Sequence, residues 1–503
     1  MRHPSRIALF VVIATAVLFG GSGLAKAVAE DEFCIADLVD LNKPAIREMQ
    51  HQFQPYTVEM LYRLIRFPSV SADPRALNNA CREVARLMRE ILPGKGKVEQ
   101  FTVDVGGGKQ SAPYVFGHWV QDPKLPTVLI YTHADVQPAN AENWKSPPFD
   151  PVIRNGRMYG RGATDNKSGL VILLSALRAL ASTGALPVNV KFLVEAEEEI
   201  GSPSFPAFVR AHPDKVKADA LLVPDAGSYF KNIPALAVSA RGRLEISVKL
   251  EGLKNGVHSG MQGGAAPNAM WALMQLFTSL TDGNQELILP GVNDAVSATS
   301  EEETGGLSRL GGTPRAAARN IGLLPGVKLA GRPGIHPVFS IGRGSSVHAV
   351  DLIPSEGGPS TIPASATGTL MVRTAPGLDE HQVYLKVVRH LEANVPLGLR
   401  LTVEKKGVIE GWQANTEVPA FQNALAIYQR VNGGRPVQLY EEGGSIPLLN
   451  ILAGRNGDQF PIILYGSDEP GNNMHGNDEN VSLKRLRQNI KATIYFLSAF
   501  GKR

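Results

Sequence analysis

Three short apolar runs, TVLIY at 127–131, VKFLVE at 190–195 and ALLV at 220–223, each end abruptly in a polar, mostly acidic cluster. THADV follows the first, AEEEIGS the second and PDAGS the third. Continuous apolar runs of this length, bounded by polar residues, read as buried parallel strands. In open α/β sheets the ligand site lies beyond the carboxyl ends of the strands. The clusters therefore place His133, Asp135, Glu198, Glu199 and Asp225 in loops where a ligand would bind, and YGRGATDNK and GNNMHGN add Asp165 and His475.

Taken singly, these residues say little, because H-x-D loops and EEE runs are ordinarily solvated. Together they supply what a hydrolase with two metal ions needs. The set holds an oxygen ligand to share between the cations, a His and a carboxylate for each, and one unligated carboxylate as base. Side chains of adjacent residues in an extended or turning segment diverge, so one of two neighbouring glutamates can ligate while the other faces the attacking water. The residues alone do not choose which. Glu197 reads as an ordinary solvated or salt-bridged carboxylate. Donors of this kind fit zinc, and a carboxylate-rich set with only two His also accepts manganese or cobalt.

These motifs, with NWKSPPFDPVIRNGRMYGRGATDNKSG at 143–169, resemble the M20 metallopeptidases, which include carboxypeptidase G2-like enzymes and carnosinase-like dipeptidases. The resemblance runs from about Tyr56 to the C-terminus. It implies one cation on His133 and Asp225, another on Glu199 and His475, and Asp165 bridging the two. Glu198 would be the general base, and Asp135 would orient its neighbouring His. NGVHSGMQGG resembles the family's H-S-G-x-x-G-G segment, which makes His258 the candidate donor to the oxyanion, acting in family dimers from the neighbouring subunit. Arg373 in LMVRTAPG takes the family's lid arginine position, where a guanidinium can fork onto a substrate carboxylate. Gly444 and Ser445 in EEGGSIP would clasp the same group. Two departures stand out: Glu441 replaces an Arg of the carnosinase-like members, removing one cation, and Ser168 replaces the first Gly after DNK.

At 503 residues the chain is long enough for more than one domain. Alternating strand and helix signals run from Tyr56 to about Ala240, with VILLSALRALA as a strong helix behind the Asp165 loop. A second unit opens at GRLEISVKLEG, contains a helix around AAPNAMWALMQLF and closes near TGTLMVRTAPGLD. The expected fold is thus α/β, a discontinuous di-metal catalytic domain (30–241 and 377–503) with a mixed central sheet flanked by helices. An α+β unit at 242–376 is inserted into it, which in the M20 family serves as lid and dimerisation domain. Residues 282–337, rich in Gly, Pro, Ser and Thr and weakly periodic, read as extended surface loops.

Residues 1–29 read as a secretory signal, with Arg2 and Arg6 before IALFVVIATAVLFG and a cleavage site after Ala27-Val28-Ala29. The expected destination is the bacterial periplasm or the outside of the cell. An uncleaved membrane anchor is the alternative, since residues 7–24 approach spanning length. The two cysteines, Cys34 and Cys81, either pair or remain separate thiols. A net charge of +4 with both signs interspersed, and no basic tract with interleaved aromatics, gives no sign of a nucleic-acid partner.

The expected activity is hydrolysis of an amide bond by metal-activated water, in a dipeptide, short peptide or amino-acid conjugate with a free C-terminal carboxylate, by a homodimer joined through the lid. An N-acyl-amino-acid amidohydrolase is the nearest alternative. A non-catalytic metal-binding protein of the same fold is the other, and the intact Glu198 argues against it.

Overall fold

The three apolar runs become parallel neighbours in one sheet. Thr127–His133 lies between Asn189–Glu195 and Ala220–Val223, parallel to both, with His133 in register with Glu195. Ile462–Leu464 continues the parallel set beside Ala220–Val223. Antiparallel strands close both sides: Tyr114–Trp119 and Gly96–Phe101 on one, Ala235–Ala240 and Trp412–Gln413 on the other, with Gln438–Glu442 parallel to Ala235–Ala240. The sheet is therefore mixed and nine-stranded. Its central strands are buried almost throughout, as their unbroken apolar runs require.

The helix expected behind the Asp165 loop is Lys167–Ala181, apolar nearly all round and buried at most of its positions. It packs against Leu483–Phe500, Lys43–Gln52 and Pro74–Ile91. Asn166 caps it, its side-chain oxygen accepting from the Gly169 N–H at 3.0 Å. The loop that carries Asp165 is thus pinned from its helical side.

The inserted unit is a four-stranded antiparallel sheet in the order Ser346–Pro354, Ser365–Thr374, Gly242–Glu251, Arg400–Ile409. Strict alternation of buried and half-exposed positions in Gly242–Glu251 turns Leu244, Ile246, Val248 and Leu250 to one face. There they meet the helices Ala269–Thr278 and Glu380–Ala393 through Leu273, Leu276, Val383 and Val387. The strand Arg400–Ile409 and the helix before it belong to this unit, so the chain returns to the large sheet after Ile409, not at 377. RLTVEKKG has too few apolar positions to declare its partner, and pairing over some 150 residues decides where it lies.

The computed structural model describes residues 35–502 except 92–95, 185, 295, 297–299, 302–304, 306, 309–311 and 458. The signal expected at 1–29 and Cys34 lie outside the described residues. Cys81 is fully buried, and burial pushes its thiol up to about 12. Among the described residues no helix is long and apolar enough to cross a membrane.

Candidate metal centre

His133 is the last residue of its strand and is fully buried. Its Nδ1 lies 3.3 Å from Asp135 Oδ1, while its Nε2 lies 3.0 Å from Asp165 Oδ1 and 3.7 Å from Asp225 Oδ2. His475 approaches from the far end of the chain, its Nε2 being 2.9 Å from Asp165 Oδ2 and 3.1 Å from Glu199 Oε2. Asp165 thus offers one carboxylate oxygen to each imidazole. Two triads result, His133/Asp165/Asp225 and Asp165/Glu199/His475, each with ligand atoms within 4.8 Å of one another.

Asp135 does more than face His133. Its carboxylate accepts the backbone N–H of Glu198 at 3.3 Å and of Glu199 at 3.0 Å, and the Ser71 hydroxyl at 2.9 Å. One buried carboxylate therefore fixes both the imidazole and the turn that presents the two glutamates. Gln137 holds Glu199 from the other side, through its backbone N–H to Oε1 (3.1 Å) and its side-chain amide to Oε2 (3.0 Å).

The electrostatics fit cations at these positions. Burial pushes Asp225 up to about 7 and lifts Glu198 well above the ordinary carboxylate range, with neighbouring carboxylates adding to both shifts against the pull of His133. Hydrogen bonds to Asp165 and Glu199 carry His475 up to about 10. Burial alone would lower His133, yet Asp225, Asp135 and Asp165 raise it well above its usual value. Packed carboxylates that hold protons on their imidazoles will hold divalent cations in their place, and two His with three carboxylates form a donor set suited to them.

Glu479 belongs to this centre although the sequence does not single it out. Fully buried, it accepts from Arg161 Nη1 (2.7 Å) and from the backbone N–H groups of Gly162 (2.8 Å), Thr164 (2.8 Å) and Asp165 (3.0 Å). Arg161 also donates to the His475 carbonyl at 3.0 Å. The Asp165 and His475 loops are locked to each other by this pair. Its only sequence signal is an acidic residue in GNDEN, four positions after His475, which reads equally well as a solvated loop.

The other expected site residues separate into two groups. Arg373, on the strand Ser365–Thr374, donates from Nη1 to Ser445 Oγ at 2.8 Å, and Gly444 adjoins it, so these three are brought together. His258 is exposed, and its Nδ1 accepts from the Gly260 N–H of its own turn at 3.1 Å. It makes no hydrogen bond or ion pair with the metal-site set among the described residues.

The model of peptidase family M20/M25/M40 matches residues 129–499. The cysteinylglycine-S-conjugate dipeptidase of Corynebacterium striatum is 30% identical over 75% of this chain and 82% of its own length. The Cys-Gly metallodipeptidase dug1 of Schizosaccharomyces pombe is 27% identical over 86% of this chain and 93% of its own. Among solved structures, the fold resembles that of the dipeptidase Dug1p of Saccharomyces cerevisiae (TM-score 0.79, 21% identity, 92% of this chain and 99% of that one). It also resembles human carnosine dipeptidase 1 (TM-score 0.77, 22% identity, 92% and 99%).

Proposed function

The chain belongs to peptidase family M20/M25/M40, and from that premise we propose that it is a metal-dependent dipeptidase acting on substrates with a free C-terminal carboxylate. The observation that carries the reading is Asp165, shared between two His/carboxylate triads with Glu198 beside them. His133, Asp225 and Asp165 would hold one divalent cation, and Glu199, His475 and Asp165 the other, zinc being the first choice and manganese or cobalt the next. Bound there, the pair supplies charge that polarises the scissile carbonyl and acidifies the attacking water. Glu198 takes the proton from that water and delivers it to the leaving nitrogen. The dipeptidase relatives support a dipeptide rather than a longer substrate. Purified protein loaded separately with zinc, manganese or cobalt should release free amino acids from dipeptides faster than from N-acyl amino acids. Preference for the acylated panel would replace the peptidase reading with an amidohydrolase one.

Arg373 and Ser445 are read as the carboxylate clamp, a fork that fixes where the scissile carbonyl sits. Arg373→Met keeps the apolar stem and removes the charge. It should lower kcat/KM for free-carboxylate substrates by at least ~1.5–3 kcal/mol of transition-state stabilisation, with a smaller loss on C-terminal amides. Equal losses on the acid and amide forms of one substrate would make Arg373 structural.

His258, exposed on the inserted unit, is read as the oxyanion donor, delivered across a homodimer interface to the partner's centre. His258→Ala should reduce kcat by about 10²–10³-fold and leave metal content alone. Mixed dimers of His258→Ala with Glu198→Gln chains should regain part of the activity, since one hybrid site then has both groups. Confirmed mixed dimers with no recovery would rule out delivery across the interface.

A further inference from the structure

The long segment that sequence assigns to surface loops connects the two units. Near its start, Leu287, Leu289 and Val292 pack into the core of the inserted unit. Further on, Leu307, Val338 and Phe339 form a small separate cluster with Phe230, in the loop that follows Asp225. Asn293 ties the base of the segment shut, its amide donating to the Ser345 carbonyl at 3.0 Å and its oxygen accepting from the Ser345 N–H at 2.7 Å. The helix Pro337–Arg343 follows the segment and lies against Glu441 and Gly443, just before Gly444 and Ser445.

That approach is close. A Cβ at Gly342 would stand 2.4 Å from Glu441 Cβ and 2.9 Å from its carbonyl oxygen, and one at Gly443 would stand 2.7 Å from Ile341 Cγ2. Both contacts exist only because those positions are glycine. Arg343 Nε then faces both carboxylate oxygens of Glu441, at 2.8 and 2.9 Å, with its guanidinium 3.8 Å from the Phe339 ring. Tyr229 donates to the Glu441 carbonyl at 2.7 Å. From the inner side, Arg241 Nε donates to the Gly443 carbonyl at 2.9 Å. The end of the strand Gln438–Glu442 and the loop after it are therefore gripped between the main sheet and the helix Pro337–Arg343, and that loop places Ser445 against Arg373.

We propose that Arg343 is a positioning residue for substrate binding: its ion pair with Glu441, at the end of the strand Gln438–Glu442, holds the loop that follows where Ser445 meets Arg373, and so sets the affinity for substrates bearing a free carboxylate. Glu441 lies just before the loop of the carboxylate clamp, and its partner cation is the last residue of the helix Pro337–Arg343. The pair is half-buried and engages both carboxylate oxygens, so it orders this segment more than a fully exposed ion pair does. The proposal rests on reading Arg373 and Ser445 as the carboxylate clamp.

The test uses the full chain with its metals, in the variants Arg343→Met, Glu441→Gln, Gly342→Ala and the charge swap Arg343→Glu/Glu441→Arg. Two quantities are read: amide hydrogen exchange in residues 440–446, and KM and kcat on one dipeptide and its C-terminal amide. The three single variants should speed exchange in that loop and raise KM for the free acid by at least about fivefold, with kcat within about twofold and the amide's KM unmoved. The swap should recover much of both. Unchanged exchange in the single variants overturns the positioning role, and faster exchange with an unchanged KM for the acid overturns its link to substrate. If the wild-type protein hydrolyses no dipeptide, the clamp reading fails by itself, and the exchange data alone still decide whether Arg343 holds the loop.

Discussion

Glu198→Gln should lower turnover by roughly 10²-fold or more while the cations stay bound, because the amide keeps the shape of the side chain but cannot accept a proton. The expectation follows from position. Glu198 sits in the turn whose backbone N–H is held by Asp135, and it belongs to neither triad of ligand atoms, which leaves its carboxylate for the water. Burial raises its affinity for a proton, and adjacent cations would draw that affinity back toward the range where a general base works. Metal content by elemental analysis and kcat on a dipeptide decide the matter. Near-normal turnover in a metal-loaded variant would sink the assignment.

Asp165→Ala should cost metal as well as activity. Asp165 is the one residue common to both triads, with Oδ1 facing His133 and Oδ2 facing His475. Hydrogen bonds from those imidazoles overcome the effect of burial and hold its carboxyl well below the usual range, so it is a committed anion. Removing it leaves two cation sites in mutual repulsion with no shared charge between them. Loss of an outer partner of a ligand costs about 10–100-fold in metal affinity, and loss of the bridge itself should exceed that. Two metals retained per chain after dialysis would make the bridging role untenable.

The parts of the site visible in the sequence are those that local physics marks. A strand buried on both faces must be continuously apolar, so TVLIY, VKFLVE and ALLV declare themselves, and the polar residues directly after them fall at one sheet edge. Alternation in Gly242–Glu251 marks the second sheet equally well. The remaining features depend on contacts that no local pattern encodes. Glu479 gathers backbone N–H groups from a loop more than 300 residues earlier. Arg343 and Glu441 are 98 residues apart, and nothing in the sequence pairs them. The strand Arg400–Ile409 shows a mostly exposed pattern and joins the inserted unit only through its register with Gly242–Glu251. The segment expected to be surface loop is tied down because Leu287, Leu289 and Val292 join the core of the inserted unit and Leu307, with Val338 and Phe339 of the helix that follows, finds Phe230 in another unit.

The central claim is that one shared carboxylate assembles a two-cation centre that hydrolyses dipeptides, and the most direct measurement titrates metal against turnover. Protein stripped by a chelator is reloaded stepwise with zinc, manganese or cobalt, and bound metal and dipeptide hydrolysis are measured on the same samples. The expected result is no turnover in the stripped protein and activity that reaches its plateau at two cations per chain. Full activity at one cation, or hydrolysis that survives complete removal of metal, would contradict it.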